Sequence, residues 1–183
     1  MTLYWPSKGS ANTSATVAAA LSRARELGLE HIVVASCSGA TAVRFIGSGF
    51  KVVCVTHQVG FESPGVDEMP PEMRERLTGA GVKVLTTTHL MAGLDRALRF
   101  KFGGVYPAEV IAAALRMFGQ GVKVGVEISV MAVDAGLVPA RTEVVAVAGT
   151  GSGADTALVV EPAHSQHFFD TRIREIICKP RDF

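Results

Sequence analysis

The sequence has few charged and few aromatic residues, and neither sign of charge dominates. Charged residues make up 19% of the 183 positions, aromatic residues 7%, and the formal net charge is +1. Nucleic-acid binding needs a concentration of basic residues that this composition does not supply, so we expect no nucleic-acid partner. Hydrophobic residues reach 48%. With so little charge, we expect part of this apolar surface to be covered by another copy of the chain, in a homo-oligomer.

Cysteine and long apolar runs are also scarce. The three cysteines, Cys37, Cys54 and Cys178, are odd in number and lack CxxC spacing, which favours a reducing compartment. No uninterrupted apolar run reaches the ~20 residues of a membrane span, and the first ten residues lack the pattern of a signal peptide. We therefore expect a cytoplasmic protein with no membrane partner, folded as one domain over residues 1–183.

Short runs of β-branched and apolar residues alternate with helical patterns. Such runs are typical of parallel strands buried on both faces of a sheet. Strands are predicted at 31–36, 51–56, 83–87, 144–148, 157–160 and 173–178. Helices are predicted at 12–27, 41–47, 70–79, 91–100, 107–118 and 122–136. The pattern indicates an α/β three-layer sandwich whose central sheet is mostly parallel, with one antiparallel returning strand.

Residues 144–160, VVAVAGTGSGADTALVV, contain the most distinctive motif. Two apolar runs flank Gly149, Thr150, Gly151, Ser152 and Gly153. Glycine brings bare backbone N–H groups close to an anion, so this loop is a candidate phosphate site. A dinucleotide fingerprint would require a helix directly after the glycines, and the second run is too short for one. An ordinary hairpin turn remains the alternative.

Polar residues also follow the other predicted strands. Ser36, Cys37, Ser38, Gly39 and Thr41 form a second candidate anion site, unless Ser38 only caps the predicted helix. The segments after the next two strands contain His57, Thr87 and His89. Ligands of open α/β sheets bind beyond the carboxyl ends of the strands, where all four segments are expected to meet.

Two of these segments resemble the C-terminal domain of pyruvate kinase. Residues 33–42, VVASCSGATA, are similar to a strand and helix start of that domain, and residues 149–162 are similar to its glycine-rich loop and returning strand. The small stand-alone archaeal and bacterial proteins named after the domain are more similar still. That likeness covers nearly the whole chain, including 102–104, 118–121 and 163–166.

The resemblance implies a phosphate-bearing ligand at Ser36, Ser38, Gly39, Thr41 and the 149–153 loop. Flavin mononucleotide (FMN) is the ligand associated with the stand-alone group. Two departures count against a sugar bisphosphate: Ser36-Cys37 replaces a threonine and a variable residue, and the helical block 91–136 is longer than the matching part of the kinase domain. The kinase's catalytic residues lie in its barrel, so pyruvate kinase activity is not expected.

Several residues have both a functional and a structural interpretation. Cys37 is either a reactive thiolate at a helix start or a small residue filling a turn. His57 and His89 either ligate a metal, act as acid and base, or hydrogen-bond in a pocket; no third ligand is evident, so no metal is predicted. Glu127 and Asp134 share a face of an apolar helix, which favours pairing at a buried interface over catalysis.

Two classes of function follow. One is a binding or regulatory module that captures a phosphorylated small molecule, with FMN favoured, and performs no chemistry. The alternative is a small flavin-dependent or phosphate-substrate enzyme that uses His57, His89 or Cys37. The position of His164 and His167 relative to either site is not predicted.

Overall fold

The computed structural model describes all 183 residues. Its strands are β1 (Leu3–Ser7), β2 (His31–Ala35), β3 (Lys51–Thr56), β4 (Lys83–Thr86), β5 (Val144–Ala148), β6 (Thr156–Glu161) and β7 (Arg172–Asp182). Its α-helices are α1 (Thr13–Glu26), α2 (Pro71–Gly79), α3 (Gly93–Phe102), α4 (Pro107–Arg116) and α5 (Gln120–Asp134). None of these helices has both the length and the apolar character needed to cross a membrane.

All seven strands belong to one sheet, in the order β1-β7-β6-β5-β2-β3-β4. β6 alone runs antiparallel to its neighbours, β5 and β7; every other adjacent pair is parallel. The carboxyl ends of six strands and the amino end of β6 therefore lie at one edge of the sheet. The predicted mostly parallel sheet with an antiparallel returning strand is confirmed.

The side chains of β2 point alternately to the two faces of the sheet, and each face has its own hydrophobic core. Ile32 and Val34 pack in a core with Val17 of α1 on one face of the sheet. Val33 packs in a second core with Val126 of α5 on the other face. Successive residues of a strand point to opposite faces, so a fully apolar strand can serve both layers. The predicted three-layer sandwich is confirmed.

Helix α5 lies directly against the sheet. A Cβ added to Gly125 would stand 2.9 Å from Cδ1 of Leu158 on β6, so the glycine permits this close approach. Twelve of the helix's residues are buried within the chain itself. The burial of this apolar helix is thus explained by the chain's own core.

The helix predicted at 41–47 is wrong, because the chain forms only a four-residue 3₁₀ helix, Ala42–Phe45. The hydroxyl oxygen of Ser36 accepts the backbone N–H groups of Thr41 and Ala42, at 3.1 and 3.3 Å. These N–H groups would have no intrahelical acceptor at the start of a helix, so the hydroxyl caps this turn. Gly47, with φ +71°, then turns the chain towards β3.

The last strand was predicted to end before Pro180, but β7 continues to Asp182. Its pairing with β6 ends at Cys178, whereas its pairing with β1 includes Pro180 opposite Trp5. At Pro180 the strand has a neighbour on one side only. Proline lacks an N–H, and a strand position that needs bonds on one side only can accept it.

Candidate functional site

A cleft of about 680 Å³ lies at the carboxyl edge of the sheet. Nine of the thirteen predicted site residues line it: Ser36, Cys37, Ser38, Thr41, His57, Gly149, Gly151, Ser152 and Gly153. Polar residues that the sequence reasoning did not select also line it: Ser10, Thr13, Arg44, Glu68 and Gln120. The fold therefore brings the two glycine- and serine-rich loops together in one cleft.

The four remaining predicted residues do not line this cleft. A Cβ on Gly39 would lie 2.3 Å from Cγ of Met73 in α2, so Gly39 faces that helix. Thr87 is exposed outside the cleft. Thr150 directs its N–H to Asp155 and has a buried hydroxyl. His89 lies behind His57, with the two ring centroids 5.1 Å apart.

The glycines between β5 and β6 have different reasons to be glycine. A Cβ on Gly149 would stand 2.5 Å from the carbonyl oxygen of Gly153, and one on Gly153 would stand 2.4 Å from Oγ1 of Thr13. These two are required by packing of the loop. Gly151 has φ +78° and only open space where its Cβ would be. It is the position where the backbone faces the cleft without a side chain.

Asp155 holds this loop against the N-terminal segment. Its carboxylate is fully buried. Oδ2 accepts the N–H groups of Gly9 and Thr150, at 3.0 and 3.1 Å, and Oδ1 accepts the hydroxyl of Thr156 at 2.8 Å. The sequence analysis passed over this residue. An aspartate directly after a glycine-rich turn is a recognised acceptor of turn N–H groups, so a signal was present.

Backbone N–H groups in both loops lack protein acceptors. In the first loop these belong to Cys37, Ser38 and Ala40, and in the second to Gly151 and Gly153. An N–H group requires an acceptor, from water or a ligand, once the cleft is occupied. These donors give the cleft a preference for a group rich in lone pairs.

Two long helices also begin at this cleft. Thr13 is the first residue of α1, Gln120 is the first residue of α5, and both side chains line the cleft. The first N–H groups of a helix have no intrahelical acceptor, although that of Thr13 donates to the carbonyl oxygen of Ser10 in the preceding 3₁₀ helix. The macrodipole adds roughly half a positive charge at each helix start. The sequence predicted a helix start at the cleft after Ser38. In the structure the helices that begin at the cleft are α1 and α5 instead, with 14 and 15 residues.

His57 belongs to a cluster at one side of the cleft. Its Nδ1 lies 2.7 Å from Oε1 of Glu68, and its ring stacks on Phe61 with the centroids 3.9 Å apart. Burial raises the pKa of the neighbouring Cys37 thiol to about 11. Cys37 is thus a protonated thiol at neutral pH, which favours a small residue filling a turn over a reactive thiolate, the two interpretations that the sequence left open.

His89 and the buried ion pair of α5 lie beside this cluster. Burial lowers the pKa of His89, whose Nε2 is 3.4 Å from the carbonyl oxygen of Thr56. Glu127 pairs with Lys123, one turn before it on α5, and accepts the N–H of Met91 at 2.7 Å. The predicted buried pairing of Glu127 is thus made within the chain.

Two of the remaining three histidines lie in a loop at the opposite edge of the sheet. His164 and His167 follow β6, whose direction is reversed, and they line a separate cleft of about 470 Å³. Nδ1 of His164 is 3.0 Å from Oδ1 of Asp134, near the end of α5. The antiparallel strand thus separates these histidines from His57 and His89.

Comparison with known proteins adds one family and several solved structures. The sequence profile described as "Pyruvate kinase, alpha/beta domain" matches residues 14–160. A Cryptosporidium parvum pyruvate kinase is 19% identical, with 77% of this chain and 21% of that chain covered and a TM-score of 0.38. A second structure from that organism is 18% identical, with 83% and 23% covered and a TM-score of 0.41. A complex of Cryptosporidium parvum pyruvate kinase with ADP is 19% identical, with the same coverage and score. This chain thus spans less than a quarter of the pyruvate kinases it matches.

Proposed function

This chain belongs to the pyruvate kinase alpha/beta domain family, and from that premise we propose that it binds a phosphate-bearing small molecule in the cleft at the carboxyl edge of its sheet. FMN is the ligand we favour. In this proposal the domain acts as a binding or regulatory module, and its ligand is held by backbone donors more than by charged side chains.

The observation that carries the proposal is the convergence of backbone N–H groups. Unpartnered donors of the loops after β2 and β5 line the same cleft as the first residues of α1 and α5. Helix starts and glycine-rich loops are the two standard ways in which a protein binds phosphate without a metal. Arg44, whose guanidinium donates to Ser14 at 3.0 Å, adds a cation at the rim.

Two features favour FMN over a smaller phosphorylated ligand. The cleft volume of about 680 Å³ falls in the range of ~300–1,000 Å³ that is usual for cofactor sites. His57 lines the cleft and stacks on Phe61, so the flavin ring would have an aromatic surface next to the phosphate donors. The phosphate would lie on the glycine loop and the isoalloxazine ring towards His57.

Gly151 provides the sharpest test. We expect Gly151→Asp to weaken FMN binding at least tenfold, about 1.4 kcal/mol, because it places a carboxylate beside the phosphate and forces a positive φ on a residue with a side chain. Gly151→Ala keeps the second effect without the charge, so its affinity should lie between those of the wild type and Gly151→Asp. FMN fluorescence titration measures both affinities.

Gly136→Asp is a matched control for this experiment. Gly136 also has a positive φ of +68°, open space at its Cβ position and an exposed backbone, but it follows the C-terminal end of α5. Its substitution should leave FMN affinity unchanged, and thermal melts correct for any loss of folding. Unchanged affinity in Gly151→Asp would contradict the proposal and leave the 149–153 loop as a hairpin turn.

The contact between His57 and Glu68 supports a second candidate, a flavin-dependent enzyme. A carboxylate 2.7 Å from Nδ1 of His57 orients the imidazole as a general base would require. Reduction of bound FMN by NADPH that is lost in His57→Gln, at an FMN concentration that saturates the variant, would support this candidate. Absence of reduction in the wild type would exclude NADPH-dependent flavin chemistry and leave the binding module.

A further inference from the structure

Cys37 and His57 leave the sheet side by side. Their strands, β2 and β3, are paired in parallel with Ala35 opposite Val55. The pairing continues past the strand end, because the N–H of Ser36 donates to the carbonyl of Val55 at 3.0 Å. Cys37 and His57, each two residues further along, therefore emerge next to each other at the carboxyl edge.

Glu68 completes a three-residue cluster with them. The sulfur of Cys37, an imidazole nitrogen of His57 and a carboxylate oxygen of Glu68 all lie within 4.8 Å of one another. All three side chains are partly buried, and all three residues line the cleft. An ordinary hydrogen bond between imidazole and carboxylate accounts for the 2.7 Å contact of His57 with Glu68, but it gives no reason for the thiol beside them.

The loop that carries Glu68 is held in place. Asp67 accepts the N–H of Met69 at 3.0 Å and forms an ion pair with Arg74 of α2 at 2.7 Å. Met69 is almost completely buried, which anchors the end of the loop in the core. Phe61, from the same loop, fixes the plane of the His57 ring by stacking. Glu68 is thus presented to Cys37 and His57 by a structured loop.

We propose that Cys37, His57 and Glu68 bind a divalent cation, with Zn²⁺ as the best match. A thiolate, an imidazole and a carboxylate are all zinc ligands, and three protein ligands leave a fourth position for water or a bound molecule. Tetrahedral ligands at normal zinc distances lie about 3.3–3.6 Å apart. The separations in the cluster, from 2.7 Å up to the limit of 4.8 Å, bracket that distance.

Zinc binding would release the thiol proton of Cys37 to solvent as the sulfur–zinc bond forms. His57 would bind as a neutral imidazole, so the hydrogen bond between Nδ1 and Glu68 opens, and its proton either moves to the other ring nitrogen or, if the ring was protonated, leaves to solvent. Because the three ligands line the same cleft as Ser38 and Gly151, the fourth position would face the space where we place the phosphate ligand. The site itself does not depend on that ligand, so this inference goes beyond the proposed function.

The test is a cobalt titration of the purified, chelator-treated protein. Cobalt replaces zinc in tetrahedral sites and, with a thiolate ligand, gives a near-ultraviolet charge-transfer band. We expect saturation at one cobalt per chain and displacement of the band by Zn²⁺. Cys37→Ser should abolish the charge-transfer band, and Glu68→Gln should weaken cobalt binding at least tenfold. Cys178→Ala is the control, because Cys178 is a buried core residue of β7. Cobalt bound to this variant should still give the charge-transfer band.

Two results would overturn the site: no saturable cobalt binding to the folded wild type, or an undiminished band in folded Cys37→Ser. Circular dichroism establishes folding in each case. The outcome is separable from that of the FMN experiment. Gly151→Ala adds no ligand atom to the cleft and should bind cobalt as the wild type does, and FMN affinity is measured on the chelator-treated protein.

Discussion

At the scale of single residues, the cleft depends on Asp155 as much as on the glycines. This buried carboxylate is the shared acceptor of Gly9, Thr150 and Thr156, so it joins the glycine loop to the segment that precedes α1. The cleft's shape is therefore set by a residue whose side chain does not line it.

Two substitutions of Asp155 test whether the loop depends on the hydrogen bonds of this side chain or on its negative charge. Asp155→Ala leaves three polar donors without an acceptor, and we expect the free energy of unfolding to fall by about 3 kcal/mol, or roughly 6–12 °C in Tm for a chain of this size. Asp155→Asn can still accept both N–H groups with its amide oxygen while its NH₂ donates to Thr156. Its Tm should stay close to that of the wild type, as differential scanning calorimetry would measure. Equal losses in the two variants would contradict this role.

His89 gives a prediction for pH. Because burial lowers its pKa in the folded state, the unfolded chain takes up a proton at a higher pH than the folded chain does. Stability that is present above the unfolded pKa, about 6.5, is therefore lost as the pH falls through the folded value. Urea denaturation at several pH values from 7.5 downwards should show a smaller loss in His89→Gln than in the wild type.

His31 contributes to the same pH dependence, since burial lowers its pKa as well. His89→Gln alone should thus reduce the slope of the free energy of unfolding against pH without removing it. His31→Gln combined with His89→Gln should reduce this slope further. His164→Gln serves as the control, because that histidine is exposed beside Asp134. A wild-type slope that His89→Gln leaves unchanged would be evidence against a buried neutral imidazole.

At the scale of elements, the unpartnered apolar surface lies on α3, α4 and the segments that flank them. Exposed large hydrophobic residues concentrate there: Leu94, Leu98, Phe100, Phe102, Val105, Val110, Met117 and Phe118. The apolar side chains of α5, by contrast, pack against the sheet. Side chains of this size exposed together are typical of protein contact surfaces.

We therefore place the expected homo-oligomer contact on α3 and α4. Light scattering at micromolar concentration should return a mass above the 19.3 kDa of one chain. Phe100→Glu should raise the dissociation constant at least tenfold, because a carboxylate replaces an apolar anchor. Phe169→Glu changes an equally exposed phenylalanine elsewhere on the molecule and should leave the mass unchanged. A wild-type monomer would contradict the expectation of an oligomer.

At the scale of the whole molecule, local patterns predicted the strands better than the site. β3 and β5 begin at the predicted residues. The returning strand β6 was predicted because the apolar run at 157–160 is too short for a helix and is followed by Pro162. These features depend on neighbouring residues. The helix predicted after Ser38 shows the limit, since the chain there forms only a four-residue 3₁₀ helix before Gly47, with φ +71°, turns it towards β3.

Residues that act across the sheet were the ones missed. Arg44, Glu68 and Gln120 carry no local signature, and their places in the cleft come from how separate elements pack. One inference was nevertheless available. A helix that leads into a parallel strand must begin near the carboxyl edge, so the starts of α1 and α5 could have been assigned to the cleft from topology alone.

The pairing of β1 with β7 has a consequence for how the chain folds. Leu3 lies opposite Cys178 in the sheet, although the two residues are far apart in the sequence. A contact between such distant residues is expected to form slowly in an unfolded chain. Thr13 is buried at the start of α1, so only a short tether joins that helix to β1, and closing this tether costs little conformational entropy. As an exposed edge strand, β1 should also open first, and its amides should exchange hydrogen ahead of those of β2 and β5.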